Sequence, residues 1–356
     1  MELKDICQYV SDRVATTSLS TSNYISTENM LPNKGGVVIA NGLPVGNAVA
    51  FAKDDVLVSN IRPYFKKIWQ ANKNGGCSAD VLCFRKNENV DNKYFYYLLS
   101  QQSFFDHMML GSKGCKMPRG DKKQIMNWSF DLPSLEEQKR IADILSSLDS
   151  KIELNRRIND NLEQQAQAMF KSWFVENASY SGVSISEYFL PNRGKNLLVS
   201  DAKGGITPVV AGGLTPSAFH NVANTKAPVI TISASGANAG FVNLWGIPVW
   251  AADSSYIDST IVSNIYFWYN LLKYNQKNIY ESQTGSAQPH IYPKHIGNLL
   301  IPDLDMRKVE CYESIVTSMY LQINEIQQET KFLSDLRDTL LPKLMSGELK
   351  INDLNC

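Results

Sequence analysis

Between Leu132 and Phe174 apolar positions recur at alternating steps of three and four: Ile141, Leu145, Leu148 and Ile152, then Leu162, Ala166, Met169 and Trp173. That spacing puts them on one face of a helix as a heptad seam, interrupted by the polar Asn155 and Asn159. Ser134 followed by Glu137 forms a capping box with Pro133 just outside it, so the helix is predicted to begin there. At about 1.5 Å per residue, roughly 40 helical residues reach about 60 Å. A helix of that length exceeds a small globule, which makes it a spacer, a partner surface, or both.

The stretch from Ile301 to Leu344 repeats the pattern. Val316, Met319, Ile323, Leu333 and Leu340 take the seam positions of Leu145, Leu148, Ile152, Leu162 and Met169, while Ile326 stands opposite Asn155. Asp303 is the expected N-cap, although Met306 occupies the place where a capping box wants Glu. Pro342 is expected to end or kink this second helix, and Gly347 to close it.

The segments before the helices repeat as well. Cys77–Asp80 parallels Trp250–Asp253, the aromatic run Tyr94–Leu99 parallels Tyr266–Leu272, and Gly111-Ser112 parallels Gly285-Ser286, all in one order. Short β-rich runs (Gly36–Ala40, Asp55–Ser59, Pro228–Ser233, Gly246–Trp250) alternate with Gly, Asn and Pro turns, and the aromatic runs read as short helices. The expected class is α+β, with one globular domain and one long helix in each half.

The 356 residues suffice for two such domains, and 44% hydrophobic content allows real cores. Lys plus Arg equals Asp plus Glu at 35 each, so no global basic field draws the chain to nucleic acid. Any such role rests on local patches. The six cysteines are scattered without a Cys-x-x-Cys pair and read as reduced, mostly buried thiols. No apolar run approaches the roughly 18 residues that span a bilayer, and no secretory leader pattern is seen, so no membrane and a cytoplasmic location are expected.

Four stretches together resemble the specificity subunits of type I restriction-modification systems. They are the helix start Leu132-Pro-Ser-Leu-Glu-Glu-Gln-Lys-Arg-Ile141, Asp55-Val-Leu-Val-Ser-Asn-Ile-Arg-Pro63, Thr284-Gly-Ser-Ala-Gln-Pro-His-Ile291 and Leu341-Pro-Lys-Leu-Met-Ser-Gly-Glu-Leu349. The resemblance implies two tandem α/β target recognition domains, at 1–133 and 179–302, separated by two long helices, at 134–178 and 303–356 with the C-terminal tail. The helices would form an antiparallel coiled coil with an internal pseudo-twofold repeat. It further implies that each domain reads one half of a bipartite, asymmetric site on double-stranded DNA. Two methyltransferase subunits would dock on the helices, nuclease-motor subunits would join for restriction, and the chain would have no activity and no cofactor of its own.

Two local patches suit DNA in the first domain. Arg62, Tyr64, Lys66 and Lys67 interleave cations with aromatics, and Lys113, Lys116, Arg119, Lys122 and Lys123 gather around two glycines. Lys and Arg neutralise phosphates, glycine admits close backbone approach, and Arg can read base edges. In the second domain Gln288, His290 and Tyr292 are the candidate readers, with Lys294, Arg193 and Lys195 for phosphate. Each stretch also suits an ordinary solvated loop.

Motifs for amino-methyl transfer, a phosphate loop and a dinucleotide fingerprint are absent, and His290 and His295 stand five apart, the wrong spacing for two ligands on one helical face. The competing reading is a coiled-coil scaffold that joins two protein-binding modules without touching DNA. The balanced charge fits it, and the cationic loop argues against it.

Overall fold

The computed structural model describes residues 1–112, 116–176, 178–285 and 288–351. It is a mixed α/β structure that divides into two compact units, Met1–Ile152 with Phe332–Cys356, and Glu153–Lys331. In chain order the first part holds β1 (Cys7–Tyr9), β2 (Arg13–Ala15), β3 (Tyr24–Ile25), β4 (Asn47–Phe51), β5 (Val56–Ser59), β6 (Ile68–Gln70), β7 (Gly75–Cys77) and β8 (Val81–Lys86). Helices α1 (Asn92–Leu99), α2 (Gln102–Leu110), α3 (Lys122–Met126) and the long α4 (Leu135–Phe174) follow. Then come β9 (Asn192–Arg193), β10 (Thr207–Val210), β11 (Ala218–His220), β12 (Val229–Ser233), β13 (Val242–Trp245), β14 (Trp250–Ala251) and β15 (Ser254–Asp258). Helices α5 (Ile265–Tyr274), α6 (Gln276–Glu281), α7 (Pro293–Gly297) and the long α8 (Met306–Met345) complete the order.

In the first unit the antiparallel sheet β1-β8-β5-β6 is buried on both faces. Its two central strands show the period of two that a pleated strand imposes. Val56, Val58, Leu82 and Phe84 face a core with Tyr94, Phe95, Phe104 and Leu145, whereas Leu57, Val81 and Cys83 face a second core with Ile25, Phe51 and Cys77. Asp55 is buried at the head of β5 because Arg85 donates to both its oxygens, at 2.9 and 2.7 Å. A second sheet, β2-β4-β7-β3, lies on the second core. Leu341, Leu344 and Met345 of α8 join Ile141 and Leu145 of α4 in the first core, and Arg337 bridges to Asp149 at 2.7 Å.

The second unit repeats the first sheet as β9-β15-β12-β13. Ile230, Ile232 and Ile257 face a core with Phe267, Leu271 and Leu272, and there Phe170, Phe174, Tyr312, Val316 and Tyr320 bring in the long helices. Tyr312 donates to the Ala166 carbonyl at 2.8 Å, and Asn155 donates to Glu329 at 2.8 Å. Within each unit, then, rising positions on α4 meet falling positions on α8. The outer sheet here is only β11-β10-β14, over a small cluster of Val210, Val229 and Val249.

Leu145 and Leu340 pack in or against the first unit's core, and Val316, Ile323, Leu162, Met169 and Met319 in or against the second unit's. Ile152 is buried, while Leu148 and Leu333 are half-buried outside those cores. The seam positions therefore serve the globular cores as well as the opposing helix.

One local expectation about caps holds and several others change. Ser134 accepts from the Glu137 amide at 3.3 Å, as an N-cap does. Asp303 does not cap α8: its carboxylate takes the hydroxyls of Ser179 and Ser181, and Asp305 accepts from the Arg307 amide at 3.0 Å instead. Pro342 does not end α8, which runs on to Met345, and Gly347 follows at φ 72°. Gly36–Ala40 is no strand; only Val37 makes a bridge, to Met30. The strand expected at Gly246–Trp250 lies earlier, at Val242–Trp245, with a second short one at Trp250–Ala251. Cys7, Cys77 and Cys83 are buried and Cys311 is exposed. Among the described residues no helix is long and apolar enough to cross a membrane.

Candidate nucleic-acid interface

The two cationic patches of the first unit, far apart in sequence, meet at the end of the central strand β5. The Asn60 amide donates to the Asp80 carbonyl at 2.8 Å and the Asn60 side chain to the Gly120 carbonyl at 3.2 Å. Ile61 forms a bridge with Arg119, and the Arg62 amide donates to the Pro118 carbonyl at 2.9 Å. The chain turns there because Arg62 (φ 51°) and Lys66 (φ 50°) both take the left-handed region, on either side of the short 3-10 turn Pro63–Phe65. Non-glycine residues seldom do so, and such strain gathers at functional sites.

Arg119 is exposed and pairs with Asp80 at 3.0 Å. The buried Arg62 Nε has no hydrogen-bond partner among the described residues, so this cation keeps a donor free. Tyr64 and Phe65 lie exposed with rings 4.7 Å apart. Lys66 accepts through its carbonyl from the Lys34 amide at 3.0 Å, and Lys67 Nζ donates to the Thr27 carbonyl at 2.6 Å. Burial lowers the Lys67 ammonium from the usual lysine value, opposed by Glu28. Lys116 and Lys123 are exposed. Lys122 is exposed as well, with its ammonium 5.9 Å from the Tyr9 ring. Lys113 lies outside the described residues.

The second unit builds the same frame from different side chains. After β12 the Ala234 amide donates to the Asp253 carbonyl at 3.1 Å, Ser235 forms a bridge with His290, and the Gly236 amide donates to the Pro289 carbonyl at 3.1 Å. Gly236 (φ 81°) stands where Arg62 does, and His290 stands where Arg119 does. Asp253, the counterpart of Asp80, accepts from Arg193 at 2.7 Å and from the Ser235 hydroxyl.

His290 also pairs through its backbone with Thr284, and its ring stacks 6.0 Å from that of Tyr292. Burial, with Lys294 adding to it, lowers the neighbouring His295 below the usual histidine value, and its Nδ1 accepts from the Tyr292 amide at 3.3 Å. Gln288 and Lys294 are exposed. Lys195 is exposed too, beside Trp250, whose indole N–H donates to the Lys195 carbonyl at 2.8 Å. The frame thus gathers Arg62 with Arg119, and His290 with Tyr292; it leaves Lys123 and Lys294 on short helices beside it.

Two features of the site are only weakly marked in the sequence. Asp80 and Asp253 were visible as a repeat but not as anchors for arginine. The segment between β3 and β4 lines a cleft of about 590 Å³ together with Ser78 and Asp80. Its glycines and Pro44 were the available signal for a projecting loop.

The sequence model of the type I restriction modification DNA specificity domain matches residues 1–164. The chain is 24% identical over 313 residues to the type I restriction enzyme MjaIX specificity subunit of Methanocaldococcus jannaschii, covering 75% of this chain and 71% of that protein. It is 32% identical over 183 residues to the type I restriction enzyme HindI specificity subunit of Haemophilus influenzae, covering 49% of this chain and 40% of that protein. The crystal structure of an S subunit of a type I restriction-modification system from M. genitalium shares the fold, with a TM-score of 0.55 and 20% identity over 97% of this chain and 95% of that one.

Proposed function

We propose that this chain, which belongs to the specificity subunits of type I restriction-modification systems, recognises DNA as two half-sites, one for each unit. The observation that supports this division is the frame built twice: a left-handed residue after the central strand, a bridge to a Pro-Arg or Pro-His pair, and an aspartate holding an arginine. One scaffold with two sets of side chains suits an asymmetric target.

In this reading Arg62, Lys66, Lys116, Arg119, Lys122 and Lys123 serve the first half-site, together with Lys67, Tyr64 and Lys113. Arg193, Lys195, Gln288, His290, Tyr292 and Lys294 serve the second. Cations hold phosphates and fix the register, and side chains reaching into the groove select bases. The helices α4 and α8 set the gap and dock two methyltransferase subunits, and nuclease-motor subunits join for restriction. The chain itself is non-catalytic and works in the cytoplasm.

The deciding experiment maps methylated bases in DNA from cells that express this chain with its methyltransferase subunit. Two specified parts flanking an unspecified gap of about one helical turn or more are expected. Removing one heptad from α4 should shorten the gap and leave the specified bases alone. Methylation without sequence preference would favour the scaffold reading, as would duplex binding that does not weaken as salt rises.

A further inference from the structure

The segment between β3 and β4 is held firmly at its base and is bare at its tip. The Val38 amide donates to the Asn29 carbonyl at 2.9 Å, the Asn29 side chain returns to the Val38 carbonyl at 2.8 Å, and the Ala40 amide donates to the Thr21 carbonyl at 3.0 Å. At the other end the Gly46 carbonyl accepts from both the amide and the hydroxyl of Thr16, each at 2.9 Å. Between these anchors Asn41–Val45 makes no hydrogen bond among the described residues. Ile39 is 69% exposed and Val45 fully so, with Leu43 also uncovered. Surface that apolar, on a loop so fixed, marks a binding element rather than a slack connection.

The loop's position names its occupant. It lines the 590 Å³ cleft together with Thr27, Glu28, Asn29 and Asp80. Arg119 bonds to Asp80, and Lys67 Nζ to Thr27, so cations stand at the cleft while the loop itself carries none. A phosphate-holding loop needs cations or hydroxyls, and guanine is read by Arg or Lys. One free carboxamide among aliphatic side chains matches an A·T pair instead: the amide pairs with adenine N6 and N7, and the aliphatics cover the thymine methyl.

We infer that Ile39–Val45 is a reading finger of the first unit that enters the major groove at an A·T pair, with Asn41 on adenine and Ile39, Leu43 and Val45 against thymine methyl groups. The inference rests on the DNA-reading role proposed above and adds residues to it. Because the tip is exposed, changing it does not touch the core.

The test uses the full chain with its methyltransferase subunit. After the wild-type target is mapped, duplexes carrying uracil in place of thymine in one half-site at a time remove only the 5-methyl groups. Binding is expected to weaken about threefold per methyl lost in one half-site, and an I39S/V45S variant is expected to bind both duplexes alike. Asn41→Ala is expected to lower adenine discrimination at one position of that same half-site by about tenfold. The finger is overturned if uracil has no effect in either half, if I39S/V45S keeps the preference for thymine, or if N41A leaves the methylated motif intact. Loss of methyltransferase co-purification by I39S/V45S with an unchanged motif also overturns it, in favour of a protein contact. A wild-type complex without sequence preference sinks the proposed function, and the finger with it; an intact two-part motif in all variants sinks the finger alone.

Discussion

The inner sheets of the two units agree strand for strand, and their outer layers do not. Sheet β1-β8-β5-β6 matches β9-β15-β12-β13, and the parallel pair β3–β7 matches β10–β14. Beyond that pair the first unit adds β4 and β2 over a core of Ile25, Met30, Phe51 and Cys77, whereas the second adds only β11 over three valines. The inner sheet packs on the long helices and is constrained by them. The outer layer is free to differ, which suits the proposed reading of two unlike half-sites from one scaffold.

The comparison can be broken first at the inner layer. Tyr312 is fully buried among Phe170, Trp173, Phe174 and Phe267, and its hydroxyl is satisfied by Ala166. Tyr312→Ala is expected to cost about 3–5 kcal/mol, and Tyr312→Phe about 1 kcal/mol. Hydrogen exchange should show the loss of protection mostly within Glu153–Lys331; an equal loss in Met1–Ile152 would mean that the units do not hold their stability separately.

Next comes the frame. Asp80→Ala frees Arg119, and Asp253→Ala frees Arg193 and Ser235. Each is expected to relax one half-site of the methylated motif by about tenfold while leaving the other, and to change thermal stability by no more than about 1 kcal/mol, since these pairs are partly exposed. If both changes act on the same half-site, the one-unit, one-half division fails.

A smaller effect separates the units in their response to acid. Lys34, on the segment that binds the Phe65 and Lys66 carbonyls, pairs with Asp338 of α8 at 3.2 Å, and Arg337 joins Asp338 to Asp149. Burial pushes the Asp338 carboxyl up, but Lys34 and Arg337 outweigh it and hold it below its ordinary 3.8. A carboxyl depressed in the folded state contributes stability above its unfolded value and loses it as pH falls through the folded one. Wild type and Asp338→Asn should therefore differ at neutral pH and converge as pH falls below about 3.8. A difference in urea midpoint that persists at the lowest pH would remove the ion pair as its cause.

The long helices and the repeat were legible in the sequence because each is written locally, in heptads and in recurring order. The two-patch site was not, since the bridge between Ile61 and Arg119 joins segments whose closeness depends on the whole sheet. Asp303 looks like a cap because it precedes the helix; the hydroxyls of Ser179 and Ser181, distant in sequence, claim it instead. Gly36–Ala40 has the composition of a strand, yet Asn29 holds it as a loop. Local composition carries no record of such a competitor.

The smallest expected change in stability belongs to Asn155. It is fully buried, it donates to Glu329, and its Oδ1, like that of Asn159, has no partner among the described residues. A buried acceptor left unmade costs roughly 1–3 kcal/mol, so an apolar residue of similar size should serve the helix pair at least as well. Replacing both asparagines by Leu is thus expected to leave stability unchanged or raise it by about 1 kcal/mol. What should suffer is alignment, because a single polar position in a seam penalises shifted pairings more than it strengthens the right one. With the complex assembled, the variant should methylate targets of more than one gap length where wild type keeps one. A single unaltered gap in the variant would show that register is set by the globular cores alone, with Leu145, Tyr312 and Leu341 as the pins.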